Sequence, residues 1–280
     1  MILETIKARQ SFFEIAALDE DAMSLDRAAL TMGLEEYPDL DIPDYVRRLD
    51  TLAARAEALA GIDRRPATVI ESINNVIFVQ EGLRGNTEDY YDPRNSYLNE
   101  VLDRKMGIPI SLSVIYMEIA RRVGFEIEGI GFPGHFLVKH VSSDREIIID
   151  PFGLGRIVTP NECQEILDKT SDGTVSVNPA LFQPMGKRAI LTRMLYNLKG
   201  IYMQREYYHK AISVIDKILM LNPGTCSEIR DRGVLYMQTS LFAKALADLE
   251  YYLAHAAAPE DVTYIRNHIK MLRGIVSAPN

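Results

Sequence analysis

Cysteine is scarce. The chain has 280 residues and only two cysteines, Cys163 and Cys226, far apart and in no metal-like spacing. That excludes a disulfide framework or a zinc ribbon and fits a reducing compartment, so the cytoplasm is the expected location. Long apolar runs are also missing: none approaches the roughly eighteen residues that read as a membrane span. The opening stretch MILETIKARQSFFEIAALDEDA carries charges too early and too often for a secretory signal. Concentrated positive charge is absent as well. Lys and Arg are scattered or occur as short pairs such as Arg47-Arg48, Arg64-Arg65 and Arg121-Arg122, in a chain of net charge −8. Phosphate-backbone binding needs clustered cations, so no nucleic-acid partner is expected. No Walker, Rossmann, zinc or calcium pattern occurs, and neither a cofactor nor a metal is expected.

What is present is an ordinary globular composition, 47 % hydrophobic and 25 % charged, with a periodicity that changes along the chain. Residues 1–62 read as helical. Phe12, Ile15, Leu18, Leu25, Ala28 and Ala29 recur at spacings of three and four, interrupted near Asp19–Ser24. From Tyr45 to Leu59, Val46, Leu49, Leu52, Ala53, Ala56 and Leu59 form an amphipathic stripe that Gly61 ends. Ala67–Gly82 predicts another helix. The polar run GNTEDYYDPRNSY follows, then a helix in SYLNEVLDRK, a turn at Met106–Pro109, and a strongly apolar helix from Ile110 to Val123 stopped by Gly124. Beyond it FEIEGIGF, HFLVKHVS and REIIIDPF read as antiparallel strands, separated by Pro133-Gly134 and Ser142-Ser143-Asp144. Helices followed by a small sheet mean an α+β domain rather than alternating α/β.

From about Arg188 the chain is helical again, and it repeats. At an offset of 34, Tyr202-Met203-Gln204 falls on Tyr236-Met237-Gln238, Lys210-Ala211 on Lys244-Ala245, and Leu219 on Leu253. That offset is the tetratricopeptide-repeat (TPR) period. Ala211 and Ala245 are small where paired helices would approach closely, and a last helix, Val262–Val276 after Pro259, would cap the second repeat. The expected division is residues 1–186, with a core at about 67–160, then an all-α part over 187–280 with repeats at 194–227 and 228–261.

Three segments together suggest chemistry: Gly107-Ile108-Pro109-Ile110-Ser111-Leu112-Ser113, Pro133-Gly134-His135-Phe136 and Ile147-Ile148-Ile149-Asp150-Pro151. A helix start, then a His expected on one strand, then an Asp ending the next is the order of a Cys-His-Asp hydrolase or transferase. There a thiol at a helix N-terminus has a lowered pKa, the His takes its proton, and the Asp holds the imidazole tautomer. The stretch from NTEDYYDPRNSYLNEVLDRKMGIPISLSVIYMEIARRVGF through GIGFPGHFLVKH to IIIDPFG resembles the bacterial SirB-like family, a transglutaminase-like core followed by TPR repeats. The resemblance implies a mostly helical core with a small antiparallel sheet. It also implies a nucleophilic Cys at the helix start, about four turns before the Gly that ends the helix. Counted back from Gly124, that position falls on Pro109.

His135 and Asp150 match the other two members, so the pattern keeps a base and its orienting acid and lacks the thiol. Ser111 lies roughly 200° round the helix from Pro109, and Ser113 returns to the same face about 6 Å deeper. Neither takes the place of the thiol without a shift of register. Tyr90, Tyr91, Arg94 and Asn95 in the polar run could line a cleft mouth and bind a peptide. The expected function is therefore non-catalytic: a regulatory protein, a pseudoenzyme, binding a protein or peptide through its repeats. The alternative is a hydrolase or acyl transferase using Ser111 or Ser113 with His135 and Asp150.

Overall fold

A computed structural model describes residues 2–141, 146–171, 175–256 and 261–277. The expected turn at Ser142-Ser143-Asp144, and Pro259, lie outside the described residues. Two compact units emerge, Met1–Met194 and Leu195–Asn280.

The first unit opens with α1 (Ile2–Ala16) and α2 (Leu25–Thr31), separated near Asp19–Ser24 as the periodicity predicts. Helix α3 (Ile42–Ala60) starts earlier than its stripe, because Asp41 accepts a hydrogen bond from the Asp44 N–H and Pro43 fits the first turn. Leu49, Leu52, Ala53 and Ala56 of that stripe are buried, whereas Leu59 is 51 % exposed. The expected helix over Ala67–Gly82 is α4 (Pro66–Asn74) continued by a π-helical turn, Asn75–Gln80. Strand β1 (Arg84–Gly85) pairs in parallel with β2 (Met106–Gly107), and between them lie the tyrosine-bearing loop and α5 (Leu98–Arg104).

Helix α6 (Pro109–Val123) is the centre of this unit. Proline at its first position loses no helical hydrogen bond, and Gly124 ends it at φ 76, a left-handed conformation that glycine adopts freely. Twelve of its fifteen residues are buried, Ser111 and Ser113 included. A helix apolar on every side must be enclosed. Its far end is pinned by Arg122, which pairs with Asp26, Asp50 and Glu118.

Strands β3 (Glu128–Ile130), β4 (Leu137–Val141), β5 (Glu146–Asp150) and β6 (Arg156–Ile157) follow, then α7 (Pro160–Ser171) and β7 (Pro184–Met185). They form one antiparallel sheet in the order β6-β5-β4-β3-β7, with Val138 opposite Ile149. The predicted strands are shortened. Phe125–Ile127 precedes β3, and His135 sits in the bend before β4 rather than on a strand. Its N–H donates to the Phe132 carbonyl at 3.1 Å, closing a turn that Pro133-Gly134 favours.

Helix α8 (Lys187–Gln204) runs across the division between the units. The expected boundary after residue 186 falls before this helix. The first unit extends to Met194 because Lys187, Arg188 and Arg193 hydrogen-bond to carbonyls at Met23, Ala16 and Phe132. The second unit continues with α9 (Tyr208–Leu221), α10 (Cys226–Gln238), α11 (Phe242–His255) and α12 (Val262–Val276). The 34-residue offset extends to the turns: Glu206 at φ 57 and Ser240 at φ 59 occupy equivalent left-handed positions. Ala211 and Ala245 are fully buried, with Tyr202 and Tyr236 nearly so. Ion pairs tie the repeats laterally. Lys199 bridges Glu228 and Asp231, and Arg232 bridges Asp216 and Asp248.

Candidate functional site

The site begins at the N-terminus of α6. Ile108 is the cap residue, in extended conformation, and Pro109 the first helical residue, buried and without any nucleophilic atom. Ser111, two residues on, is wholly committed to folding. Its Oγ accepts from the Ile108 N–H at 3.0 Å and lies 2.7 Å from the Asn95 carbonyl and 3.1 Å from that of Ile108. This is half of a capping box, the third helical residue reaching back to the cap. Ser113 is equally buried, and its Oγ faces the Phe136 carbonyl at 3.4 Å, beside His135 but not on its ring.

His135 and Asp150 do meet. The His135 Nε2 is 2.9 Å from Asp150 Oδ1, the two side chains 12 % and 4 % exposed. Asp150 ends β5 and its loop folds back tightly: the Gly155 N–H donates to the Asp150 carbonyl at 2.8 Å. Burial alone would raise the Asp150 carboxyl. Hydrogen bonding and charge from His135, the Gly153 N–H and the Arg156 guanidinium more than offset it, holding the group below its ordinary value. With Asp150 on Nε2, the free ring nitrogen is Nδ1. Among the described residues no side-chain oxygen or sulfur is hydrogen-bonded to it. The arrangement can hold an imidazole in a fixed orientation.

Several residues that frame this pair carried no signal in the sequence. Asn74, the last residue of α4, donates from Nδ2 to the Gly155 carbonyl at 2.8 Å. Gly155, at φ 74, has no room for a Cβ, which would lie 1.9 Å from Asn74 Oδ1. Phe152 stands edge-on to the His135 ring at 5.7 Å and to Tyr90 at 6.4 Å. Its ring fits only because Gly85 lacks a side chain, since a Cβ there would come within 2.5 Å of it. Arg193 of α8 donates to both the Phe132 and His135 carbonyls at 2.6 Å, and burial draws its guanidinium below the ordinary value. It fixes the bend that carries the imidazole.

The polar loop divides into two roles. Tyr90 and Tyr91 are exposed and stack edge-on at 5.3 Å, extending the aromatic wall from Phe152. Arg94 turns instead to Asp92. Asn95 is fully buried, its amide donating to the Asp89 and Tyr90 carbonyls and accepting from Asn86. Asn95 therefore cannot line a cleft mouth as its place in the loop suggested. It folds the loop that presents the tyrosines.

Cys163 offers no substitute thiol. It is buried on α7 against a cavity of about 310 Å³ lined by Ile148, Ile157, Val158 and Phe182. Burial, then the charges of Glu162 and Asp150, push its pKa up to about 11, so the thiol stays protonated near neutrality. Among the described residues no group of three or more His, Cys, Asp or Glu could hold a metal ion, and no helix is long and apolar enough to cross a membrane.

Comparison with known proteins agrees with this architecture. The family described as the transglutaminase-like superfamily matches residues 43–196, and the tetratricopeptide repeat matches residues 198–270. A UPF0162 protein of Xylella fastidiosa (strain Temecula1) is 36 % identical over 262 residues, covering 91 % of this chain and 92 % of that one. A UPF0162 protein of Vibrio cholerae is 29 % identical over 255 residues, covering 91 % and 94 %. Human F-box only protein 21 is 35 % identical over 141 residues, covering 48 % of this chain and 22 % of that one.

Proposed function

This chain belongs to the transglutaminase-like superfamily, with TPR repeats following in the sequence, and from that premise we propose that it acts by binding a partner protein and not by acyl transfer. One observation carries the proposal: the helix start that would hold the nucleophile bears Pro109, while both nearby serines give their hydroxyls to backbone carbonyls. A His–Asp pair with no thiol or hydroxyl to deprotonate can position a ligand but cannot start covalent chemistry. TPR repeats generally mediate protein–protein contacts, so the repeat unit supplies the main surface. The wall of Tyr90, Tyr91 and Phe152 beside His135 supplies a second, suited to an extended peptide. Such a protein is regulatory and works in the cytoplasm.

The direct test incubates the intact protein with glutamine-containing peptides and an amine acceptor. No ammonia release above a blank is expected. Turnover that disappears in His135→Ala would overturn the proposal. Cross-linking followed by mass spectrometry tests the other half: a stoichiometric protein partner should be recovered with the intact chain, and recovery of none would count against partner binding.

A second reading keeps acyl transfer and assigns Ser113 as nucleophile. Its hydroxyl lies against the carbonyl of Phe136, the residue after His135. This reading requires Ser113 to leave that carbonyl, reach the imidazole and become accessible, against its complete burial.

A further inference from the structure

The last helix of the repeat unit has an unusual charge pattern. Over Val262–Val276 it carries Arg266, Lys270 and Arg273 and no Asp or Glu, in a chain whose net charge is −8. These cations share one face, at spacings of four and three, which is how helical neighbours align. They stand along a groove of about 530 Å³ between α11 and α12, with Leu253, Ala254 and Ile269 as its apolar lining and Glu250 on the opposite wall. Arg273 is neutralised there by Glu250, at 2.6 Å. Arg266 and Lys270 have no hydrogen-bond or ion-pair partner among the described residues. Two unpaired cations one turn apart repel each other, an arrangement that a bound anion relieves.

We propose that this groove takes a short acidic, amphipathic segment of a partner protein. The inference rests on the reading that the repeat unit is a partner-binding module, and it specifies the chemistry of that partner. From Arg266 to Arg273 the groove runs about 10 Å along the helix, which accommodates two turns of a docked helix. The apolar strip between the charged walls accepts Leu or Val side chains, while Arg266 and Lys270 accept carboxylates. A nucleic-acid strand fits less well. Single-strand sites combine backbone charge with aromatic stacking, and no aromatic ring lines this groove.

The test uses the intact protein and fluorescent peptides of about twelve residues, long enough to form marginal helices. One carries Glu and Leu at helical spacing, a second has Lys for each Glu, and a third has Ser for each Leu. Fluorescence anisotropy should show saturable binding of the first, weakened by roughly tenfold higher salt through screening. The second should not bind and the third should bind more weakly. The double variant Arg266→Glu, Lys270→Glu should lose about tenfold or more in affinity. The neutral pair Arg266→Ala, Lys270→Ala should lose less, with circular dichroism unchanged in both. Equal affinity in the double variant would overturn the groove while leaving the partner-binding reading intact, because a peptide site would then lie elsewhere. Failure of all three peptides, or tighter capture of a single-stranded oligonucleotide or an anionic vesicle, would also overturn it. Failure of the broader reading shows separately, as the absence of any cross-linked partner.

Discussion

Ser111 and Asp150 each make a hydrogen bond whose loss can be read in stability. If the Ser111 hydroxyl serves the helix cap, Ser111→Ala should lower stability by about 1–2 kcal/mol, since a buried donor and acceptor lose their partner. Thermal unfolding reads that cost, and an unchanged midpoint would contradict the assigned role. Asp150 makes a pH-dependent prediction. Its carboxyl is held below the ordinary value, so the stabilisation it provides is complete above the unfolded carboxylate value of about 3.9. It is lost as pH falls through the lower folded value. Urea unfolding should therefore find Asp150→Asn less stable than the parent at pH 6 to 8 by about 1–3 kcal/mol. The gap should close in acid; a gap that stayed constant on acidification would contradict the pairing.

At the scale of elements, the turn after β5 and the interior of the repeats are the sensitive points. Gly155→Ala combines a left-handed φ with a collision against Asn74, and is expected to destabilise by more than 1 kcal/mol. Ala245→Leu should cost about 1–3 kcal/mol by overpacking between α10 and α11, where the parent residue is fully buried. A calorimetric scan checks both. Much of this layout could be read from the sequence because the signals were local. Pro109 and Gly124 bound α6, and the 34-residue offset marked both repeats. Other features had no local mark. The π-helical turn at Asn75–Gln80 looks like any apolar helix by period, and the left-handed turns at Glu206 and Ser240 lack the glycine that would announce them. His135 and Asp150 could be paired from order and spacing. Phe152, Asn74 and Arg193 could not be added, because β5, α4 and α8 bring them together from distant parts of the chain. Asn95 departs from expectation for the opposite reason: polar residues in a loop suggest exposure, yet this one is the buried knot that ties the loop.

For the whole molecule, the proposal of binding rather than turnover combines a transglutaminase-like core whose helix start bears Pro109 with a TPR unit that follows it. The buried pin at the far end of α6 shows how strongly the core is built around that helix. Replacing Arg122 with Met leaves Asp26 buried without its cation, while Glu118 keeps Arg121, and is expected to cost about 3 kcal/mol in chemical denaturation. The decisive chemistry, however, lies at the other end of the same helix. Intact-mass spectrometry of the full-length protein after prolonged exposure to a fluorophosphonate measures directly whether any hydroxyl is activated by His135. The expected spectrum shows the unmodified mass. A stoichiometric adduct mapping to Ser111 or Ser113, and absent from His135→Ala, would contradict it.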